Sequence, residues 1–230
     1  MQLFYAPNIT EQIHFLPEDE SKHLIRVLRK QYGDLIDLTD GHGHYYQCKI
    51  ADDHPKKCGL EVISKTMHEN PIAREIHIAI APTKNNDRME WFIEKAVEIG
   101  VTSITPIICK NSERAKLKQE RMLKVAISAM KQSNRFYLPT ISELTPLSEF
   151  IKSDNASLKL IAHCEDTDKS YLESMSLPVK TSILIGPEGD FDVSEISDCI
   201  ESGYVPVSLG NSRLRTETAG IVACTYLNRL

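Results

Sequence analysis

The alternation of apolar and polar positions changes character once along the chain, near HENPIAR at residues 68–74. Before that point the apolar runs are short and strand-like. DLIDLTD, HYYQCKIAD and GLEVISKT alternate or nearly alternate, separated by Asp40-Gly41 and by the polar DHPKK. One helical stretch, EDESKHLIRVLRKQ, groups Leu24, Ile25, Val27 and Leu28 as an apolar face, while Lys22, Arg26, Arg29 and Lys30 supply charge. Several short strands with one helix predict a small barrel over residues 1–70. From Glu75 the rhythm differs. IHIAIAP precedes DRMEWFIEKAVEIG, VTSITPIIC precedes KLKQERMLKVAISAMKQS, and LKLIAHC, TSILIG and VPVSLG are each followed by a polar turn and a helical stretch. Apolar strands interleaved with helices predict a largely parallel sheet covered on both faces, so residues 74–230 read as an α/β domain. Asp192 with Glu195 three residues later makes a capping-box start, and Gly100 and Gly203 sit where helices should end.

Composition narrows the class. At 230 residues the chain fits two modest domains or one large one, and 41% hydrophobic with 26% charged residues is ordinary for a globular protein. The start, MQLFYAPNIT, lacks the basic-then-apolar order of a leader, and no apolar run reaches the length of a spanning helix, so a cytoplasmic protein is expected. Six scattered cysteines, without a C-x-x-C pair or a zinc-spaced cluster, predict free, mostly buried thiols and no metal. A net charge of −5 argues against a protein that coats nucleic acid indiscriminately. Between Lys110 and Arg135, however, eight basic residues face only Glu113 and Glu120. That segment is either a solvated helix face or a polyanion contact, and Gln132, Arg135, Phe136 and Tyr137 at its end offer hydrogen-bonding and stacking groups.

The unusual chemistry lies in three late connections after predicted strands. GPEGDF (Gly186 to Phe191) follows TSILI, and glycines at such a strand end let the backbone approach a ligand closely. LGNSRLRTETAG (Leu209 to Gly220) packs Arg213, Arg215, Glu217, Thr216 and Thr218 into the start of the last helix. Thr216 or Thr218 could cap that helix and Glu217 suits its dipole, but capping leaves the two arginines unexplained. His163-Cys164-Glu165 follows LKLIA, and the three connections could line one pocket. The P-loop, the Rossmann fingerprint and the G-x-S-x-G elbow are all missing.

HLIRVLR, DRMEWFIEKAVEIGVTSITPI, KQSNR followed by Pro139, ILIGPEGDF and LGNSRLRTETA, in that order, resemble the RsmE family of 16S ribosomal RNA methyltransferases. The resemblance implies an N-terminal PUA-like β-barrel and a C-terminal SPOUT α/β domain with a deep trefoil knot. It implies a homodimer that binds S-adenosyl-L-methionine and methylates the N3 atom of a uridine in 16S ribosomal RNA within the assembled small subunit, and it leaves open whether naked RNA suffices. The cofactor residues carried over are His163, Ile185, Gly186, Pro187, Glu188, Gly189, Leu209, Gly210, Leu214, Thr218 and Ala219. Lys22, Arg26, Arg29, Arg135 and Arg213 are the expected RNA contacts. Three departures stand out: Asp190 replaces the last glycine of GPEGGF, R-I-L-R reads Ser212-Arg213-Leu214-Arg215, and E-Q-S reads Lys131-Gln132-Ser133.

A uracil N3 is protonated at neutral pH, so positive charge or a base must favour its ionised form. Arg215 is the expected stabiliser of negative charge on a uracil oxygen, with Glu217 a weaker candidate to receive the proton. The base is expected to leave its stack to reach the site. A non-catalytic ribosomal RNA-binding module is the competing class, and a small-molecule nucleotide enzyme the third.

Overall fold

The computed structural model describes residues 2–9, 12–71 and 73–229. Two compact units emerge: Met1–Pro71 with Ile127–Leu138, and Ile72–Ala126 with Pro139–Leu230.

The first unit carries β1 (Leu3–Tyr5), β2 (Ile13–Phe15), a short α1 (Glu18–Lys22), β3 (Leu35–Thr39), β4 (His44–Asp52) and β5 (Gly59–Met67). Their order is β1-β3-β4-β5-β2, with β1 parallel to β3 and the other pairs antiparallel. Alternation puts Ile36 and Leu38 of β3 and Tyr46, Cys48 and Ile50 of β4 into one core with Leu24 and Leu60. Two register shifts, at Gln47/Cys48 and Ile50/Asp52, bend the β4–β5 ladder around that core. The β3–β4 turn is pinned by the buried Asp40, which accepts from the His42 amide at 2.8 Å and pairs with His44 Nδ1 at 2.7 Å. Burial pushes this carboxyl up, yet the bonds from His42 and His44 outweigh it and hold it below its usual range.

The helix predicted for HLIRVLR departs from pattern. Lys22 leads into a π-helical turn over His23–Val27, whose wider winding breaks the 3.6-residue phase. Leu24 is buried and Ile25 and Leu28 pack on the core, but Val27 turns outward with 67% of its surface exposed. Residues 134–138 also complete this unit: Gly43 donates to the Phe136 carbonyl, Leu138 to that of Gly41, and the Tyr137 hydroxyl to that of His68.

The second unit runs β6 (Glu75–Ile80), α2 (Asn86–Ile99), β7 (Ser103–Ile108), α3 (Gln119–Gln132), β8 (Thr140–Ile141), β9 (Thr145–Pro146), α4 (Leu147–Ser153), β10 (Leu158–Ala162), β11 (Ser170–Tyr171), β12 (Lys180–Ile185), α5 (Val193–Glu201), β13 (Val205–Ser208) and α6 (Thr216–Leu227). The last residues of α3 group with the first unit. The sheet order is β11-β13-β10-β12-β6-β7-β8, with β9 also on β7, and every pairing is parallel. Such strands are covered on both faces, which is why IHIAI and TSILI are apolar runs: Ile78, Ile80, Ile183 and Ile185 are all but inaccessible. Each such side chain contributes roughly 1.5–3 kcal/mol of burial.

Asp192 and Glu195 form the reciprocal capping box of α5, and Gly100 closes α2 at φ +122°. After LKLIA, though, no full helix follows. The chain makes the two-residue β11 and one 3-10 turn at Leu172–Ser174 before returning to β12. Helix α6 packs on α2, β6 and β12. Among the described residues no helix is long and apolar enough to cross a membrane.

Candidate functional site

Strand register brings the three unusual connections together. Ala162 ending β10 pairs with Ile185 ending β12 and with Val207 near the end of β13, so the residues that follow leave the sheet side by side. They enclose a cleft of about 720 Å³, lined by residues 162–164 and Lys169, by 185–188 with Asp190, and by 207–216 with Ala219. This is where open parallel sheets hold ligands.

The GPEGD turn is tied to its surroundings at each step. Thr216 Oγ1 donates to the Gly186 carbonyl at 3.0 Å, and the Lys84 amide donates to Glu188 Oε1 at 2.9 Å. Asn111 Nδ2 reaches the carbonyls of Gly189 and Asp190 at 3.3 and 3.1 Å. Asp190 Oδ2 accepts the Cys164 amide at 2.6 Å. A Cβ on Gly186 would meet the Phe191 ring at 3.0 Å, so only glycine keeps that backbone close.

Two side chains on the cleft wall carry buried polar atoms with no partner among the described residues, although Glu188 does bond the Lys84 amide through its other oxygen. Both ring nitrogens of His163 and the Oε2 of Glu188 are inaccessible and unbonded. Buried polar atoms are rarely left so, because each costs a desolvation penalty. Burial, reinforced by Lys169, pushes the His163 pKa below its ordinary value, so at neutral pH the ring is an uncharged donor and acceptor. Lys169 itself donates to the His163 carbonyl at 2.9 Å. A flat, heteroatom-rich group fits the neutral His163 ring and the glycine-lined wall.

Of the cofactor residues expected from sequence, His163, Ile185, Gly186, Pro187, Glu188, Leu209, Gly210, Leu214 and Ala219 line the cleft. Gly189 does not: its Cα faces Asn111, whose side chain would lie 3.3 Å from an added Cβ. Thr218 does not either. Thr216 and Ala219, three apart on α6, share the cleft-facing side, which rotates Thr218 away. Neither threonine caps α6: Arg215 occupies the N-cap position without a side-chain cap, and the Thr216 hydroxyl is spent on Gly186. Arg213 and Arg215 line the cleft. Glu217 is absent from its wall. It is buried in the first turn of α6, with Oε1 3.7 Å from Arg88 Nε. Cys164, Asp190 and Ser212, noted in sequence only as members of those connections or as departures from the motif, also line the cleft, as does Asn211; Lys169 lies outside the three connections and carried no sequence signal.

The expected RNA contacts are dispersed over both units. Arg26 and Arg29 are exposed, Lys22 pairs with Glu18 at 2.6 Å, and Arg135 is partly buried, all in the first unit. Much of the basic segment from Lys110 is paired locally. Lys110 meets Asp192 at 3.0 Å, Arg121 meets Glu90 at 2.5 Å, Lys131 meets Glu20 at 2.5 Å, and Arg114 donates to the Lys84 carbonyl at 2.7 Å. Among the described residues no cluster of side chains suits a metal ion.

Comparison with known proteins agrees with this geometry. An RNA methyltransferase domain family matches residues 68–228, and an RNA methyltransferase PUA domain family matches residues 16–63. A ribosomal RNA small subunit methyltransferase E from Buchnera aphidicola is 31% identical over 229 residues, covering 95% of this chain and 88% of the relative. A crystal structure from Porphyromonas gingivalis, assigned as an rRNA methyltransferase, superposes with a TM-score of 0.92 at 44% identity, covering 99% of this chain and 98% of that one. A structure from Legionella pneumophila, assigned as a methyltransferase and solved with bound S-adenosylmethionine, gives 0.89 at 29% identity, covering 98% and 96%. Its PUA-like unit, its parallel α/β sheet and these matches along nearly its whole length place the chain in the ribosomal RNA small subunit methyltransferase E family.

Proposed function

We propose that this protein methylates the N3 atom of a uridine in 16S ribosomal RNA, using S-adenosylmethionine held in the cleft at the ends of β10, β12 and β13. The observation that carries the reading is the His163 ring with both nitrogens unbonded, beside the unbonded Oε2 of Glu188, on a wall shared by the connection after β10, GPEGD and LGNSRLRTETA. The cofactor supplies an electrophilic methyl group on a sulfonium. The chain supplies the rest. His163 offers its neutral ring to a heteroaromatic edge, the backbone at Gly186 and Gly210 permits close approach, and Leu209, Leu214 and Ala219 give the apolar floor. Arg215 presents its guanidinium at the cleft and favours the ionised form of a uracil by stabilising charge on its oxygen.

Glu217 takes a different part from the proton acceptor expected from sequence. With its carboxylate against Arg88 and away from the cleft, it neutralises that guanidinium and holds the first turn of α6. Lys22, Arg26, Arg29, Arg135 and Arg213 remain the proposed RNA contacts, with Arg213 alone beside the cleft. The assembled small subunit in the cytoplasm is the proposed setting. A homodimer is supported by α6, which is apolar nearly all round, with Ile221 and Val222 only partly covered within this chain. A trefoil knot is supported by the path of the chain, which leaves β13 beyond β10 and brings α6 back onto β6 and β12.

The test uses purified protein and small subunits that lack the modification, read by mass spectrometry of the RNA. The wild type should add one methyl to one uridine. Arg215→Ala should lower turnover about 100- to 1000-fold with cofactor affinity kept, as loss of a preorganised charge stabiliser does. Calorimetry that finds no uptake of S-adenosylmethionine would leave an RNA-binding module instead, and near-normal turnover in Arg215→Ala would remove the role given to that arginine.

A further inference from the structure

We propose that Asp190 is a positioning residue that latches two walls of the cleft together, and that affinity for the cofactor depends on that latch. The inference rests on the reading of the cleft as the S-adenosylmethionine site. Its evidence is separate, and lies in how one side chain is spent.

Asp190 has φ +65°, the left-handed region where glycine is at home and only asparagine and aspartate are readily tolerated among other residues. Its amide also closes the preceding turn by donating to the Pro187 carbonyl at 2.9 Å. The related motif has glycine here, so the aspartate accepts a backbone cost that glycine avoids. The return is visible in its carboxylate. Oδ2 accepts the Cys164 amide at 2.6 Å, a charge-assisted bond between the connection after β12 and the connection after β10. Oδ1 sits over Gly186, 3.3 Å from where a Cβ would stand.

The position of the bond gives it its effect. β10 and β12 pair rung by rung up to Ala162 and Ile185, where the sheet ends. Beyond that rung the backbone ladder stops, and His163-Cys164 and Gly186-Pro187 continue as two adjacent walls of the cleft. Asp190 supplies one more cross-link there, and Asn111 holds the turn from behind through the Asp190 carbonyl at 3.1 Å. Glycine at 190 would leave the Cys164 amide without this partner and the separation of the walls less defined. His163, whose unbonded ring faces the cleft, is the residue next to the one latched.

Two variants separate the bond from the charge. Asp190→Gly removes the acceptor while keeping the backbone geometry, and Asp190→Asn keeps an acceptor oxygen without the charge. Calorimetric titration with S-adenosylmethionine should show Asp190→Gly weakened about tenfold and Asp190→Asn within about threefold of the wild type. The KM for the cofactor should follow the dissociation constant while kcat moves less, the signature of lost ground-state binding. The ligand-free melting temperature of Asp190→Gly should fall by a few degrees at most and stay well above the titration temperature, because the lost bond is partly offset by relief of the φ +65° strain, so weakened binding would not reflect unfolding. Unchanged affinity in Asp190→Gly overturns the latch, and so does an Asp190→Asn variant as weak as Asp190→Gly, which would assign the effect to charge. A wild type that takes up no S-adenosylmethionine at all would refute the cofactor reading itself, and the functional role of the latch with it.

Discussion

Cys164 is the one exposed thiol of six, and it stands on the cleft wall while Cys48, Cys58, Cys109, Cys199 and Cys224 are buried. Desolvation, and then the Asp190 carboxylate, push its pKa above the ordinary thiol value, so it is a poor nucleophile at neutral pH despite its exposure. Alkylation should therefore be slow near neutrality, faster in alkaline buffer, and confined to this residue in the folded protein. Saturating S-adenosylmethionine should slow it several-fold, read by mass spectrometry of the alkylated peptides. Equal rates with and without cofactor would place the ligand away from the His163-Cys164 wall. At this scale much of the site was legible, because glycines, arginines and a histidine at strand ends have few other uses. What pattern could not give was orientation. Glu217 and Arg215 are two residues apart in sequence, yet one is buried against Arg88 and the other lines the cleft, a difference set by the helical turn that begins between them.

Helix α6 shows how closely an element can be held by one small residue. A Cβ on Gly220 would lie 2.5 and 2.8 Å from two carbons of the Phe92 ring of α2 and 3.0 Å from Ile80 Cδ1 of β6. Phe92 and Ile80 are themselves fully buried, so neither can retreat without disturbing the core. Gly220→Ala gains up to about 1 kcal/mol of helix propensity, but overpacking of this kind costs about 1–3 kcal/mol, so net destabilisation is expected. Chemical denaturation should register it as a lower midpoint with an unchanged slope. A raised midpoint would show that α6 moves freely over α2. Elements with strong end signals, such as α5 with its Asp192–Glu195 box, could be placed from sequence. The π-helical turn at His23–Val27 and the missing helix after β10 could not, since both are decided by packing rather than by local preference.

At the scale of the whole chain, the change of pattern near residue 70 marks the switch of architecture, but residues 127–138 group with the first unit through contacts that periodicity cannot encode. The order of the parallel strands was equally hidden, because buried strands are alike in composition and β13 could have joined either side of β10. One consequence of that order is a half-buried polar group in mid-sheet. His77 on β6 pairs across to Ser182 of β12, and its Nε2 lies 2.8 Å from Thr105 Oγ1 of β7, with the Phe150 ring edge-on at 5.1 Å. Asp154 also faces this region, where it accepts from the Tyr204 hydroxyl at 2.6 Å and the Ser182 hydroxyl at 2.5 Å. Burial lowers the His77 pKa below 6.5 and Lys180 adds to the shift, while Asp154 opposes it. The folded state thus binds this proton less readily than the unfolded chain. Its contribution to stability is complete above the unfolded value and is lost as pH falls from there through the lowered folded value. His163 shifts in the same direction. Carboxylates held low, such as Asp192 at about 2, act only in much stronger acid, so the histidine window is separate. Without cofactor, the denaturation midpoint should fall between about pH 7.5 and 5.5, and His77→Asn should flatten part of that fall. A wild-type midpoint that stays level across the window would mean that Asp154 cancels the effect of burial and that His77 binds its proton equally well in the folded and unfolded chain.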